Sequence, residues 1–148
     1  MACPFFMPTQ KLEDGGWQHP SRLPLGGGWS GHCCAPGHEG TLPTDEELRE
    51  CNLGYATNCP RLPGERPWDA VRFSVARDRG SQVVLWFACE IAHRPAGHGT
   101  LEYDAAQERW ISSHDNPRIQ KMAECYVQSY LLRRVRRTMQ ESTPGAHA

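Results

Sequence analysis

The chain has 148 residues, with 16 Lys and Arg against 17 Asp and Glu. That length predicts a modest core, and the balanced charge gives no global pull toward nucleic acid or an anionic membrane. No apolar run is long enough to span a bilayer, and Met1-Ala2-Cys3-Pro4 opens without a basic, apolar leader, so a cytoplasmic protein with reduced thiols is expected.

Composition changes near residue 68. Residues 1–67 hold 9 of the 12 prolines and 10 of the 14 glycines, and their large apolar residues are scattered without a sustained period of two or 3.6. This predicts an irregular Cys/Pro/Gly-rich lobe. Phe5, Phe6, Trp17, Trp29 and Tyr55 argue that it is ordered, because disordered segments are poor in aromatics. Gly26-Gly27-Gly28 reads as a flexible or tightly turning segment, not a phosphate loop, since no strand precedes it and no Lys-Ser/Thr follows. One helix is well signalled, over about 45–52. Thr44 and Glu47 fit a capping box, acidic residues fill the first turn, and Gly54 suits the left-handed position after the end.

Residues 68–140 read as a small antiparallel meander of three or four strands with one C-terminal helix. Val71, Phe73 and Val75 alternate with Arg72, Ser74 and Ala76. After a turn at Asp78-Arg79-Gly80-Ser81, Gln82 to Ala92 is apolar on both faces, as a covered central strand would be. His93 to Gly99 reads as a loop, Thr100 to Asp104 as a third strand and Arg109 to Ser112 as a fourth. Asn116 and Pro117 open a helix to about Met139, and residues 141–148 read as a frayed tail. The fold class is therefore α+β, with the irregular lobe packed on the meander as one compact domain.

An ordered lobe with little regular structure has to fix its backbone in another way, and a metal centre makes ligand binding part of the folding energy. Cys3, Cys33, Cys51 and Cys59 give the pattern Cys-x29-Cys-x17-Cys-x7-Cys, with Cys34 as the alternative to Cys33. No Cys-x-x-Cys occurs, whereas structural zinc usually takes its ligands in closely spaced pairs. Four separated thiols fit a [4Fe–4S] cluster, whose ligand spacings vary widely. Cys3-Pro4 and Cys59-Pro60 each stiffen the chain beside a thiol. Phe5, Trp29, His32 and Tyr55 are the expected neighbours of the centre, with Phe6 beside them, shielding it and hydrogen-bonding its sulfurs.

Weaker signals remain. Cys89, Glu90, His93, His98 and His114 have spacing compatible with a second metal site, although Cys89 lies on an apolar strand face and reads first as core. Arg133, Arg134, Arg136 and Arg137 suit the negative end of a helix dipole and are the candidate partner contact. No Ser/His/Asp set, phosphate cradle or paired carboxylate is visible, which points away from an enzyme. The expectation is thus a small cytoplasmic iron–sulfur protein in electron transfer or in redox or gas sensing, with a protein redox partner, no membrane, and nucleic acid a lesser prospect. The alternative is a zinc-stapled module binding a protein or nucleic acid through the basic helix. A third reading, an open metal site around Cys89 and the three histidines, would make it an enzyme.

Overall fold

The computed structural model describes every residue except 1, 14–16, 18, 56–58 and 142–148. It contains two antiparallel sheets. A two-stranded sheet pairs β1 (Phe6–Lys11) with β2 (Trp29–Cys33), and a four-stranded meander runs β3 (Ala70–Asp78), β4 (Gln82–Ile91), β5 (Arg94–Asp104) and β6 (Arg109–Ser112) in sequence order. Helix α1 (Asp45–Leu53) follows the small sheet and helix α2 (Pro117–Glu141) follows the meander. The α+β class and the C-terminal helix stand as expected. Among the described residues no helix is long and apolar enough to cross a membrane.

The first half is less irregular than its composition predicts. The β1–β2 pairing sets Phe6 opposite Cys33 and Pro8 opposite Gly31, with a bulge between Pro8 and Gln10. Proline and glycine are poor strand residues, so they hid this sheet. Both are positional here. A Cβ on Gly31 would overlap the Met7 carbonyl oxygen. The triple glycine is likewise a packing device, not a flexible segment. A Cβ on Gly26, already at φ +73°, would sit 2.9 Å from the Ser129 Cβ of α2, and one on Gly28 would meet the Trp17 indole.

Helix α1 forms as its capping signals dictate. The Thr44 hydroxyl accepts the Glu47 amide, and the Glu47 carboxylate accepts the Thr44 amide. Buried Asn52 then locks α1 to β2: the Trp29 amide donates to its Oδ1, while its Nδ2 donates to the Trp29 and Leu48 carbonyls, each at 2.9 Å. This use of a buried amide satisfies groups that would otherwise be costly to bury.

In the meander, β4 is central, with Val83, Leu85 and Cys89 buried beneath it. Its other face is covered by side chains: half-buried Trp86 has the Arg72 guanidinium 5.4 Å from its ring centroid and His98 stacked beside it. A bulge between Cys89 and Glu90 turns Ile91 outward. The stretch His93 to Gly99 is not a loop. Ala92 and His93 take positive φ in a tight turn, and β5 starts at Arg94. Pro95 and Gly97 masked the strand start.

The N-terminus joins the two halves. Ala2 forms an antiparallel bridge with Val71 of β3. Asn116 caps α2 by accepting the Arg118 and Ile119 amides. The core is one continuous cluster that draws Phe6, Leu25 and Trp29 from the first half, Val71, Val83 and Leu85 from the sheet, and Ile119, Met122 and Val127 from α2. The expected frayed tail lies outside the described residues save Glu141, whose backbone ends α2.

Candidate metal centre

Each of the four expected thiols is delivered by a different local device. Cys3 follows the Ala2–Val71 bridge, and its amide donates to the Cys51 carbonyl at 3.0 Å. Cys33 ends β2 and exchanges backbone bonds with the turn that follows, its amide donating to Thr41 and its carbonyl accepting from Gly40. Cys51 lies in the last turn of α1, placed by the capping box and Asn52. Cys59 sits on a turn closed by the Leu62 amide on its carbonyl.

All four line one nearly closed pocket. Phe5, Phe6, Ala35 and Leu62 make its apolar walls, with Glu47, Glu50 and Arg61 at its polar side. Arg61 is ion-paired with Glu47, which offsets one of the two carboxylates on this part of the wall. The void between them is about 20 Å³, the space of one water-sized group.

The electrostatics of the pocket oppose free thiolates. Burial pushes the Cys51 thiol up to about 12, with Cys3, Cys33 and Cys59 adding like-charge repulsion. Burial likewise lifts Cys3 to about 11, against the Phe5 and Phe6 amides, which hydrogen-bond its sulfur. The Ala35 amide donates to the Cys33 sulfur at 3.3 Å. Backbone amides are thus aimed at two of the sulfurs, in a site where negative charge is unfavourable unless a cation balances it.

Among the described residues, no three His, Cys, Asp or Glu side chains close into a group that would hold a single metal ion. A zinc ion bonded to four thiolates holds their sulfurs about 3.8 Å apart. The four cysteines share a pocket whose void of about 20 Å³ holds one water-sized group, so a multi-iron cluster would need its walls to move apart. The donor set itself, four soft sulfurs in apolar surroundings with amides directed at them, fits a thiolate-held centre.

The other expected neighbours lie elsewhere. Cys34 does not line the pocket. Period two turns it away from Cys33; it is half-buried, and burial raises its thiol against the pull of Arg118. His32 stands on the face of β2 opposite Cys33, across from Met7. Trp29 is core, held through Asn52. Tyr55 stacks on His93 with ring centroids 4.1 Å apart and donates to Glu90 at 2.5 Å, so it clasps the chain before Cys59 to the β4–β5 turn. Only Phe5 and Phe6 of the expected shield face the thiols. Ala35, Leu62 and the Glu47–Arg61 pair were missed. Arg61 stands two residues beyond Cys59, and that proximity was the available signal.

The second metal site is not gathered. Cys89 is buried under the sheet, His93 stacks on Tyr55, His98 stands beside Trp86, and His114 meets the edge of Phe87 at 4.9 Å. The basic run is divided too. Arg133 donates to the Gly26 carbonyl at 2.5 Å and Arg134 pairs with Asp78 at 2.9 Å, while Arg136 and Arg137 are exposed.

Comparison with known proteins finds no matching family model, no matching curated protein and no matching solved structure.

Proposed function

We propose that the chain is a small iron–sulfur protein in which Cys3, Cys33, Cys51 and Cys59 hold one [4Fe–4S] cluster, acting in electron transfer or in redox or gas sensing and not as an enzyme. The observation that carries this reading is the shared pocket: four thiols from four separate segments line one apolar enclosure. Such a centre supplies a one-electron couple when bound, with a potential set by charge, hydrogen bonds to sulfur and solvent exposure. Phe5, Phe6 and Leu62 exclude water from the sulfurs, and the Phe5, Phe6 and Ala35 amides stabilise them as thiolates. The Glu47–Arg61 pair closes one side without net charge. Cys59, on a turn outside helix and strand, is the donor whose position adjusts most easily to a larger centre. All seven cysteines are free, which suits a compartment that keeps thiols reduced, the cytoplasm. A protein redox partner follows from the role.

The small void favours a second reading, a zinc-stapled interaction module in which the centre is structural and the function lies on the surface of α2. Anaerobic purification followed by visible absorbance and metal analysis of the same sample separates the two. Broad visible absorbance with about four irons per chain supports the cluster, whereas about one zinc and no colour supports the staple. A metal-free, colourless chain would end both.

A further inference from the structure

From Cys125 to Gln140 helix α2 carries four arginines and no acid. Arg134 is turned to the meander, where it pairs with Asp78 at 2.9 Å and donates to the Gly80 carbonyl. The other three, Arg133, Arg136 and Arg137, line one open cleft of about 400 Å³ with Tyr130 and Gln140. Among the described residues that line it there is no carboxylate. Two of its walls are held in place. The Tyr130 hydroxyl donates to Asp78 at 2.6 Å, and Arg133 donates through Nη1 to the Gly26 carbonyl at 2.5 Å. Gly26 has no side chain to crowd this seat: the Arg133 Nη2 stands 3.2 Å from where its Cβ would be. Arg136 and Arg137 are exposed and have no partner among the described residues.

The charges of this cleft are not balanced from within. Arg133 and Arg137 are four residues apart on the helix, so their guanidiniums are neighbours and repel. The negative end of the helix dipole offsets about half a charge, less than three guanidiniums carry. We propose that the cleft binds a small ligand through a phosphate or diphosphate group. Guanidinium forks meet phosphate oxygens two at a time, and the Gln140 amide adds a further donor. From Arg133 to Arg137 the helix rises about 6 Å, a span suited to one phosphoryl group or two joined ones. A nucleic-acid backbone is instead held by a longer track of cations meeting many phosphates, and the chain as a whole has a net charge of -1. The cleft shares no lining residue with the thiol pocket, so its ligand does not depend on the nature of the centre.

Calorimetric titration of the full chain, with its centre as purified, with inorganic pyrophosphate at low salt tests this assignment. The wild type should bind about one pyrophosphate per chain, more tightly than orthophosphate, and should weaken as salt rises. The Arg136→Ala/Arg137→Ala double variant should lose about tenfold or more in affinity with an unchanged circular dichroism spectrum. Arg136→Lys/Arg137→Lys keeps the charge without the forks and should recover only part of that loss. Arg134→Ala should bind within about twofold of the wild type, because its guanidinium faces Asp78. Displacement of pyrophosphate by vesicles with a phosphorylated headgroup, and not by a nucleoside diphosphate, would name a lipid as the bearer of the phosphate; the reverse names a soluble ligand. A wild type that binds no pyrophosphate overturns the proposal, as does full affinity in the double alanine variant. An equal loss in Arg134→Ala also overturns it, since the general charge of the helix end would then be responsible. A single-stranded oligonucleotide that binds the wild type more tightly than pyrophosphate, and loses that affinity in the double alanine variant, replaces the small ligand with nucleic acid.

Discussion

The thiol pocket and the meander are fixed by opposite kinds of interaction. The meander follows from apolar alternation, and Val83, Leu85 and Leu101 gain from the burial that puts them in place. Around the pocket, by contrast, burial raises the Cys3 and Cys51 thiols, and the segments are tied by a few hydrogen bonds, such as Cys3 to Cys51 and the pair between Asn52 and Trp29. One region is stable because of what it buries. The other is organised around groups that resist ionising where they are, and a bound cation would reverse that penalty.

The sharpest way to break the comparison is to remove donors. Cys51→Ala or Cys59→Ala should abolish metal binding and strip hydrogen-exchange protection from residues 1–67, leaving β4 and β5 protected. Cys89→Ala and Cys125→Ala, buried outside the pocket, should keep full metal content and cost about 1–2 kcal/mol each in denaturant unfolding. Full metal stoichiometry in Cys59→Ala would sink the four-thiol centre.

Next in size, Leu85→Ala should cost about 2–5 kcal/mol by leaving a cavity under β4. Its effect should be nearly equal in metal-loaded and metal-free protein. A large difference between the two would mean that the sheet and the pocket are held as one unit.

Gly31→Ala probes the small sheet directly. The new methyl must displace the Met7 carbonyl and the β1–β2 register with it, at about 1–3 kcal/mol. Because Cys33 ends β2, metal affinity should fall in the same variant. Unchanged affinity in a metal titration would separate the sheet from the site.

The smallest effect is on pH dependence. Cys3 and Cys51 are raised from 9.0 to about 11 and about 12 in the folded chain. Above 9 the unfolded chain gives up these protons first, so their contribution is full below 9 and is lost as pH rises through the folded values. The melting temperature of the metal-free protein should therefore fall above pH 9. With metal bound the pocket thiols are already deprotonated and this loss should vanish, replaced by release of metal on acidification. Parallel alkaline profiles for the two forms would contradict the pocket's role. Cys89, Cys125 and Tyr55 are raised by burial in both forms and cancel in the difference.

What could be read in advance follows the same division. Alternation announced β3, a run apolar on both faces announced β4, and a capping box announced α1, because each is a local pattern with a local cause. The four thiols were read as a set from their wide spacing and the absence of any Cys-x-x-Cys. Their neighbours were not legible. Tyr55 stands four residues from Cys51 and Cys59, yet φ +55° turns it to His93 and Glu90, and sequence distance carries no direction. The β1–β2 sheet was hidden for a related reason. Its Pro8 and Gly31 are chosen for close contact across strands, and composition reads such residues as punctuation.

The bridge between Ala2 and Val71 has a consequence for how the protein comes into being. Synthesis delivers Cys3, Cys33, Cys51 and Cys59 before the strand that anchors the segment carrying Cys3. A contact across so long a stretch closes late, because the ordering of the intervening chain must come first. The four thiols therefore leave the ribosome as separate side chains, and the pocket closes only when β3 emerges. On the proposed reading, the centre is enclosed only after β3 has been made, and any factor that delivers metal has to meet the chain before the Ala2–Val71 bridge seals the site.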